Sequence, residues 1–208
     1  MFAKDRDLVV LEPVLHRDVA WVGQRRISTT GSIVGTSLTL NTGSFIDSEI
    51  AAGHVVIFDD AVLEVVSIES ATQATVSLMR ASVESNAIPR LDATNRSVVV
   101  YDYSPQLAIV HRQVLTMIGL DPDDADFDES VVTNPGALVR LEALGTLHLI
   151  YAGAAAPGRG GSKFEHRAKM YQQRFVNERE RVVAMIDLDG DGIAEVFRRP
   201  YLFVLERN

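Results

Sequence analysis

The periodicity of apolar residues changes once along this chain, near Pro105, and that change limits the folds open to it. Before it, short runs rich in β-branched residues at 37–40, 55–58, 61–68, 74–78 and 97–103 are separated by turn residues, the pattern of short strands. Asp59-Asp60 separates two of these runs as a hairpin connection, and Gly, Asn, Ser or Pro mark the other joints. Together they predict a small antiparallel barrel or sandwich over residues 22–103. Residues 1–21 read as an N-terminal segment that can open with a short helix limited by Pro13.

After Ser104-Pro105, an N-cap and N1 pair, Leu107, Val110, Val114, Met117 and Ile118 recur at helical spacing until Gly119 stops the run. Asn134-Pro135 caps a second helix in which Leu138, Leu141, Leu144, Leu147 and Ile150 leave little polar surface, so it should be the central, buried one. A glycine-rich joint at 152–161 leads to a third helix from Ser162, with Phe164, Ala168, Tyr171, Phe175, Val182 and Met185 on one stripe. Roughly 24 residues at ~1.5 Å each make a rod of about 36 Å, long enough to touch neighbours beyond its own fold. The expected class is α+β: a small antiparallel β barrel or sandwich followed by a three-helix unit with a long last helix and a C-terminal β-prone tail. The helical domain spans 104–197 with a terminal Asp/Gly turn, and the tail spans 198–208.

Composition narrows function more than fold. The chain has 208 residues, enough for one large or two small domains, and a formal charge of −8, which disfavours a surface built to neutralise phosphates or anionic lipid. It has no cysteine, so disulfides, thiolate chemistry and cysteine-ligated zinc are excluded together. The opening residues, Met-Phe-Ala-Lys-Asp-Arg-Asp, carry charges where a signal peptide needs an apolar run, and no stretch reaches the ~20 apolar residues of a membrane span. Synthesis in the cytoplasm, with no membrane partner, is the expectation.

Residues with chemical potential are few. Asp187, Asp189 and Asp191 alternate with Gly190 and Gly192 and are followed by Ile193 and Glu195. Oxygen ligands at positions one, three and five, glycine at six and a backbone carbonyl at seven match the first part of a calcium loop, here with Glu195 at nine and Arg198 in place of the bidentate glutamate at twelve. The alternative is a tight Asp-Gly turn whose carboxylates are solvated or cap backbone amides. His16, His54, His111, His148 and His166 show no metal-binding pairing on a helix, and His111 and His148 read as hydrogen-bonded core or interface residues. Gly158-Arg-Gly-Gly-Ser-Lys163 has the wrong order and no preceding strand for a phosphate loop, and reads as a hinge. Gly31-Ser-Ile-Val-Gly35 is no nucleophile elbow, and the acidic stretch 121–129 reads as a solvated loop. With no matched acid, base and nucleophile, the chain is expected not to be an enzyme.

The order of β-rich part, helix, acidic loop, buried helix, glycine-rich joint, long charged helix, Asp-x-Asp-Gly-Asp-Gly and basic-aromatic tail resembles the head–tail connector proteins of tailed bacteriophages, also called adaptor, head-completion or neck proteins. The resemblance is carried by Tyr103-Ser-Pro-Gln-Leu-Ala-Ile-Val-His111, the Leu138 to Ile150 helix, Lys169-Met-Tyr-Gln-Gln-Arg-Phe175 and the stretch from Asp187 to Tyr201, about half the chain. The β-rich part departs from the smallest, all-helical members. The resemblance implies a structural virion protein of the neck, a homo-oligomeric ring, commonly of twelve copies. Such a ring docks beneath the portal protein, presents a surface to a tail terminator or another neck protein, and lets double-stranded DNA pass without sequence-specific binding. On this reading Arg167, Arg174, Glu178 and Arg179 make subunit–subunit pairs. Arg198, Arg199, Tyr201, Leu202, Phe203, Val204 and Leu205 dock on the portal or a neighbouring subunit, or return to pair within their own domain. A calcium-dependent soluble binding module without a viral role is the alternative function.

Overall fold

The computed structural model describes residues 1–21, 24–124, 128–155 and 161–200, with Gly161 and Ser162 described by backbone alone. It divides into two compact units, one of Lys4–Tyr103 and one that joins Met1–Ala3 to the chain from Ser104 onward. The protein is thus α+β, with a closed β barrel and a helical unit.

The barrel unit opens with two short helices, α1 (Asp5–Leu11) and α2 (Leu15–Asp18), separated around Pro13, which lacks the N–H a continuous helix would need. Six strands follow: β1 (Arg25–Val34), β2 (Ser37–Leu40), β3 (Val55–Phe58), β4 (Ala61–Ile68), β5 (Gln73–Ser77) and β6 (Ala93–Tyr101). All pair antiparallel in the closed order β1-β2-β5-β4-β3-β6, with β6 returning to β1. Closure leaves no sheet edge, and the inward residues fill the lumen: Ile27, Ile33, Leu38, Val56, Phe58, Leu63, Val76, Val98 and Val100 form one buried cluster with Phe45.

Two local features fix the barrel's geometry. Asp59 takes φ +59° in the two-residue turn that sets Phe58 opposite Ala61, the hairpin its sequence suggested. Gly31 faces the neighbouring strand so closely that a Cβ would stand 2.6 Å from the carbonyl oxygen of Thr39, so only glycine fits where β1 bends beside its bulge.

In the helical unit, α3 (Ser104–Met117) ends at Gly119, whose φ of +81° carries the chain out of the helix. α4 (Gly136–Ala154) is the buried axis: Leu138, Leu141, Leu144, Leu147 and Ile150 are all enclosed. α5 (Gly161–Arg179) packs on it through Ala168, Tyr171 and Phe175. Tyr151 of α4 stacks parallel on Tyr171 at 5.7 Å.

Two expectations need correction. The last helix stops at Arg179, giving a rod of about 28 Å for its 19 residues rather than 36 Å. Val182 and Met185, assigned to its stripe, lie beyond it, and Met185 sits in β7 (Ala184–Ile186), which pairs antiparallel with β8 (Val196–Arg198). Val182, Ala184 and Ile186 are buried in alternation, so a period of two governs here. Asn134 does not cap α4 with its side chain. Its Nδ2 donates to the Val183 carbonyl at 2.9 Å and its Oδ1 accepts from the Met185 amide at 2.8 Å, so the residue ties the entry of α4 to β7.

Candidate functional site

The hairpin loop between β7 and β8 gathers the carboxylates singled out from sequence. Gly190 and Gly192, at φ +79° and +87°, turn the chain so that Asp187, Asp189, Asp191 and Glu195 each place an oxygen within 4.8 Å of the others. Asp187 is buried and takes the Gly190 amide at 2.8 Å on one oxygen and the Gly192 amide at 2.7 Å on the other. The Gly192 amide leads in holding its carboxyl below the usual range, against the opposing cost of desolvation. Asp189 accepts from Asp191 N–H, Asp191 from Ile193 N–H at 2.7 Å, and Glu195 from Leu188 N–H at 2.8 Å. The cluster therefore serves as the frame of its own turn, and it also gathers oxygens of the kind a divalent cation takes as ligands. Ile193 projects outward, 69% exposed.

The residues expected to meet other chains divide. Arg167 donates to the Tyr151 hydroxyl at 2.8 Å and lies over that ring. Glu178 faces Arg140 at 3.4 Å, and Arg179 donates to the Pro200 carbonyl at 3.1 Å. Arg174 lies 5.6 Å over the Tyr171 ring and is exposed. Arg198 and Arg199 are exposed at the end of β8, next to Phe197, which is 62% exposed. Tyr201, Leu202, Phe203, Val204 and Leu205 lie outside the described residues, as do residues 158–160 of the expected hinge, whereas Gly161, Ser162 and Lys163 open α5 rather than a hinge.

Three buried polar clusters went unread in the sequence, because each joins segments far apart in the chain. In the barrel unit, Glu64 is fully enclosed between Arg6 and Arg80, with Nε of each at 2.6 Å from one of its oxygens. Arg80 extends the network to the carbonyls of Val83 and Ser85. In the helical unit, the enclosed Glu142 meets His111 Nδ1 at 2.9 Å, while Glu129 meets Nε2 at 2.6 Å. The amides of Phe2 and Ala3 also donate to Glu142, at 3.3 Å each. His148 meets the Ala168 carbonyl through Nδ1 at 3.0 Å.

The third cluster, again within the barrel unit, joins Asp5 at the start of α1, His54 just before β3 and Asp102 just after β6, one ligand atom of each within 4.8 Å of the others. Asp5 is 3% exposed and Asp102 5% exposed. Burial, and then the neighbouring Asp102 charge, push the Asp5 carboxyl well above its ordinary pKa, opposed by the Tyr103 amide. Arg26 sets Nε and Nη2 on the same oxygen, Oδ2, of Asp102, at 2.9 and 2.8 Å.

A closed six-stranded barrel and a three-helix unit carrying an acidic hairpin are what fold and site together define. No protein-family model, curated protein or solved structure matches the chain. Among the described residues, no helix is long and apolar enough to cross a membrane.

Proposed function

We propose that the chain is a structural subunit of a tailed-bacteriophage neck, forming a ring of about a dozen copies that joins the portal to the tail or the next neck protein while duplex DNA passes through. The observation that carries this reading is the outer edge of β8. Among the described residues β8 pairs with β7 alone, and Phe197 stands exposed beside Arg198 and Arg199, directly before an apolar stretch at 201–205. An open strand edge with an exposed aromatic residue is a template for strand addition by another chain. The exposed Arg174 adds charge that can meet a neighbouring copy, and a net charge of −8 suits a protein that must not hold passing phosphates.

The test is the native mass of the purified chain alone and with cognate portal rings. A discrete ring on the portal is expected, and the substitution Phe197→Asp should lower its yield at least tenfold while leaving the thermal melt in place. No complex with the portal, or full assembly by the variant, refutes the reading. A second reading, a calcium-dependent binding module, is favoured by the four converging carboxylates of the β7–β8 loop. Calorimetry with calcium, using Asp189→Ala as control, tests it: one equivalent of heat lost in the variant, with a monomeric mass in the presence of portal, supports it over the neck.

A further inference from the structure

We propose that Asp5, His54 and Asp102 bind a divalent transition-metal ion, of the zinc class, which fastens the start of α1 to the barrel between β3 and β6. The donor set is one imidazole nitrogen and two carboxylates, which suits zinc and its first-row neighbours and not calcium, an ion that takes six to eight oxygens. His54 Nε2 stands 3.7 Å from Asp102 Oδ1, too long for a hydrogen bond and close to the roughly 3.5 Å that separates two ligands on one zinc ion. Closing the remaining separations, at most 4.8 Å, needs small side-chain adjustments only.

Two further observations point to a ligand rather than to a mere gathering of acids. The first is the orientation of His54. Its Nδ1 is held by the backbone of Ala51, 3.1 Å from the amide and 3.0 Å from the carbonyl, which leaves Nε2 as the ring nitrogen on the side of Asp102. The second is the poverty of partners at Asp5. This carboxylate is more than nine-tenths buried, and its oxygens share a single donor, the Tyr103 amide, at 3.2 and 3.5 Å. A buried carboxylate with most of its acceptor sites empty can carry its charge only at a cost, which a bound cation removes. Arg26 bonds the far oxygen of Asp102, Oδ2, while Oδ1 is the one nearest His54 Nε2. A metal cation at this point supplies Asp5 with the partner it lacks.

The ion proposed here is independent of the neck reading and of the acidic hairpin. The experiment is equilibrium dialysis and calorimetry of the full chain with zinc chloride, with cobalt(II) as a spectroscopic stand-in. Binding of one equivalent, a rise in melting temperature and a visible cobalt band are expected. All three should vanish, with affinity lower by on the order of 100-fold or more, in His54→Gln and in the near-isosteric Asp5→Asn. They should persist in the double variant Asp189→Ala, Asp191→Ala. Failure of the wild-type chain to take zinc overturns the proposal and leaves the two aspartates to share a proton. Unchanged zinc affinity in both barrel variants, or its loss in the hairpin variant, overturns it equally. Circular dichroism of the apo variants confirms that a lost site is not a lost fold.

Discussion

Gly145 of α4 stands between side chains of α3 and α5. A Cβ there would stand 2.7 Å from Cγ1 of Val110 and 3.0 Å from the ring of Phe175. Alanine gains about 1 kcal/mol of helix propensity, but overpacking costs about 1–3 kcal/mol, and a β-branched valine cannot swing aside. Gly145→Ala should therefore lose about 1 kcal/mol net, read as a lower urea midpoint at constant slope. His16 makes a different demand. It is buried against the rings of Tyr101 and Tyr103, neither of its nitrogens has a hydrogen-bond partner, and desolvation lowers its pKa to about 4. The unfolded chain takes up this proton near pH 6.5 and the folded one only near 4, so stability falls as pH drops through that window. The loss attributable to this one group approaches about 3 kcal/mol. Guanidinium melts at pH 7, 5 and 4 should show the decline in the wild type and a shallower one in His16→Phe. Nothing in the sequence separates His16 from the other four histidines, because its burial depends on α2 folding back over the end of β6.

At the level of elements, legibility follows the strength of a single period. α4 is apolar on nearly every side and is central; Gly119 and Asp59 sit at the breaks their chemistry predicts. β1 escaped notice because Arg25-Arg-Ile-Ser-Thr-Thr-Gly carries mostly polar residues, and its inward side shows only once the barrel closes. The end of α5 was misplaced because Val182 and Met185 satisfy a helical stripe while Val182, Ala184 and Ile186 satisfy a strand, and no glycine or proline marks the change. Pairing with β8 decides for the strand, and Asn134 holds it there. Asn134→Ala deletes both bonds and strands the Val183 carbonyl and the Met185 amide, at a cost of about 1–3 kcal/mol. Hydrogen exchange should show the Met185 amide losing protection before those of α4. The acidic hairpin stood out in the sequence because its carboxylates lie within nine residues of one another, so a single loop brings them together. The cluster at Asp5, His54 and Asp102 was invisible, since no spacing rule links three segments that only the closed barrel brings together.

For the whole molecule, the telling feature is how the chain is shared out. Residues 1–3 pack with the helical unit, Phe2 resting edge-on against His111 at 4.9 Å, and everything from Lys4 to Tyr103 forms the barrel unit before the chain returns to helices. Each unit has its own core, as an autonomous domain requires. Replacing residues 4–103 with a short glycine-serine linker should leave a helical protein with a cooperative melt by circular dichroism. A non-cooperative trace would mean that the helices need the barrel to fold.

The hydrogen bond from the Tyr103 amide to the Asp5 carboxylate brings the two ends of the barrel unit side by side. An inserted module whose entrance and exit coincide imposes almost no strain on its host, and its closure costs little extra entropy however long it grows. Selection can then enlarge, replace or discard the cassette while the helical scaffold keeps its shape, and a laboratory graft at the same junction inherits that freedom.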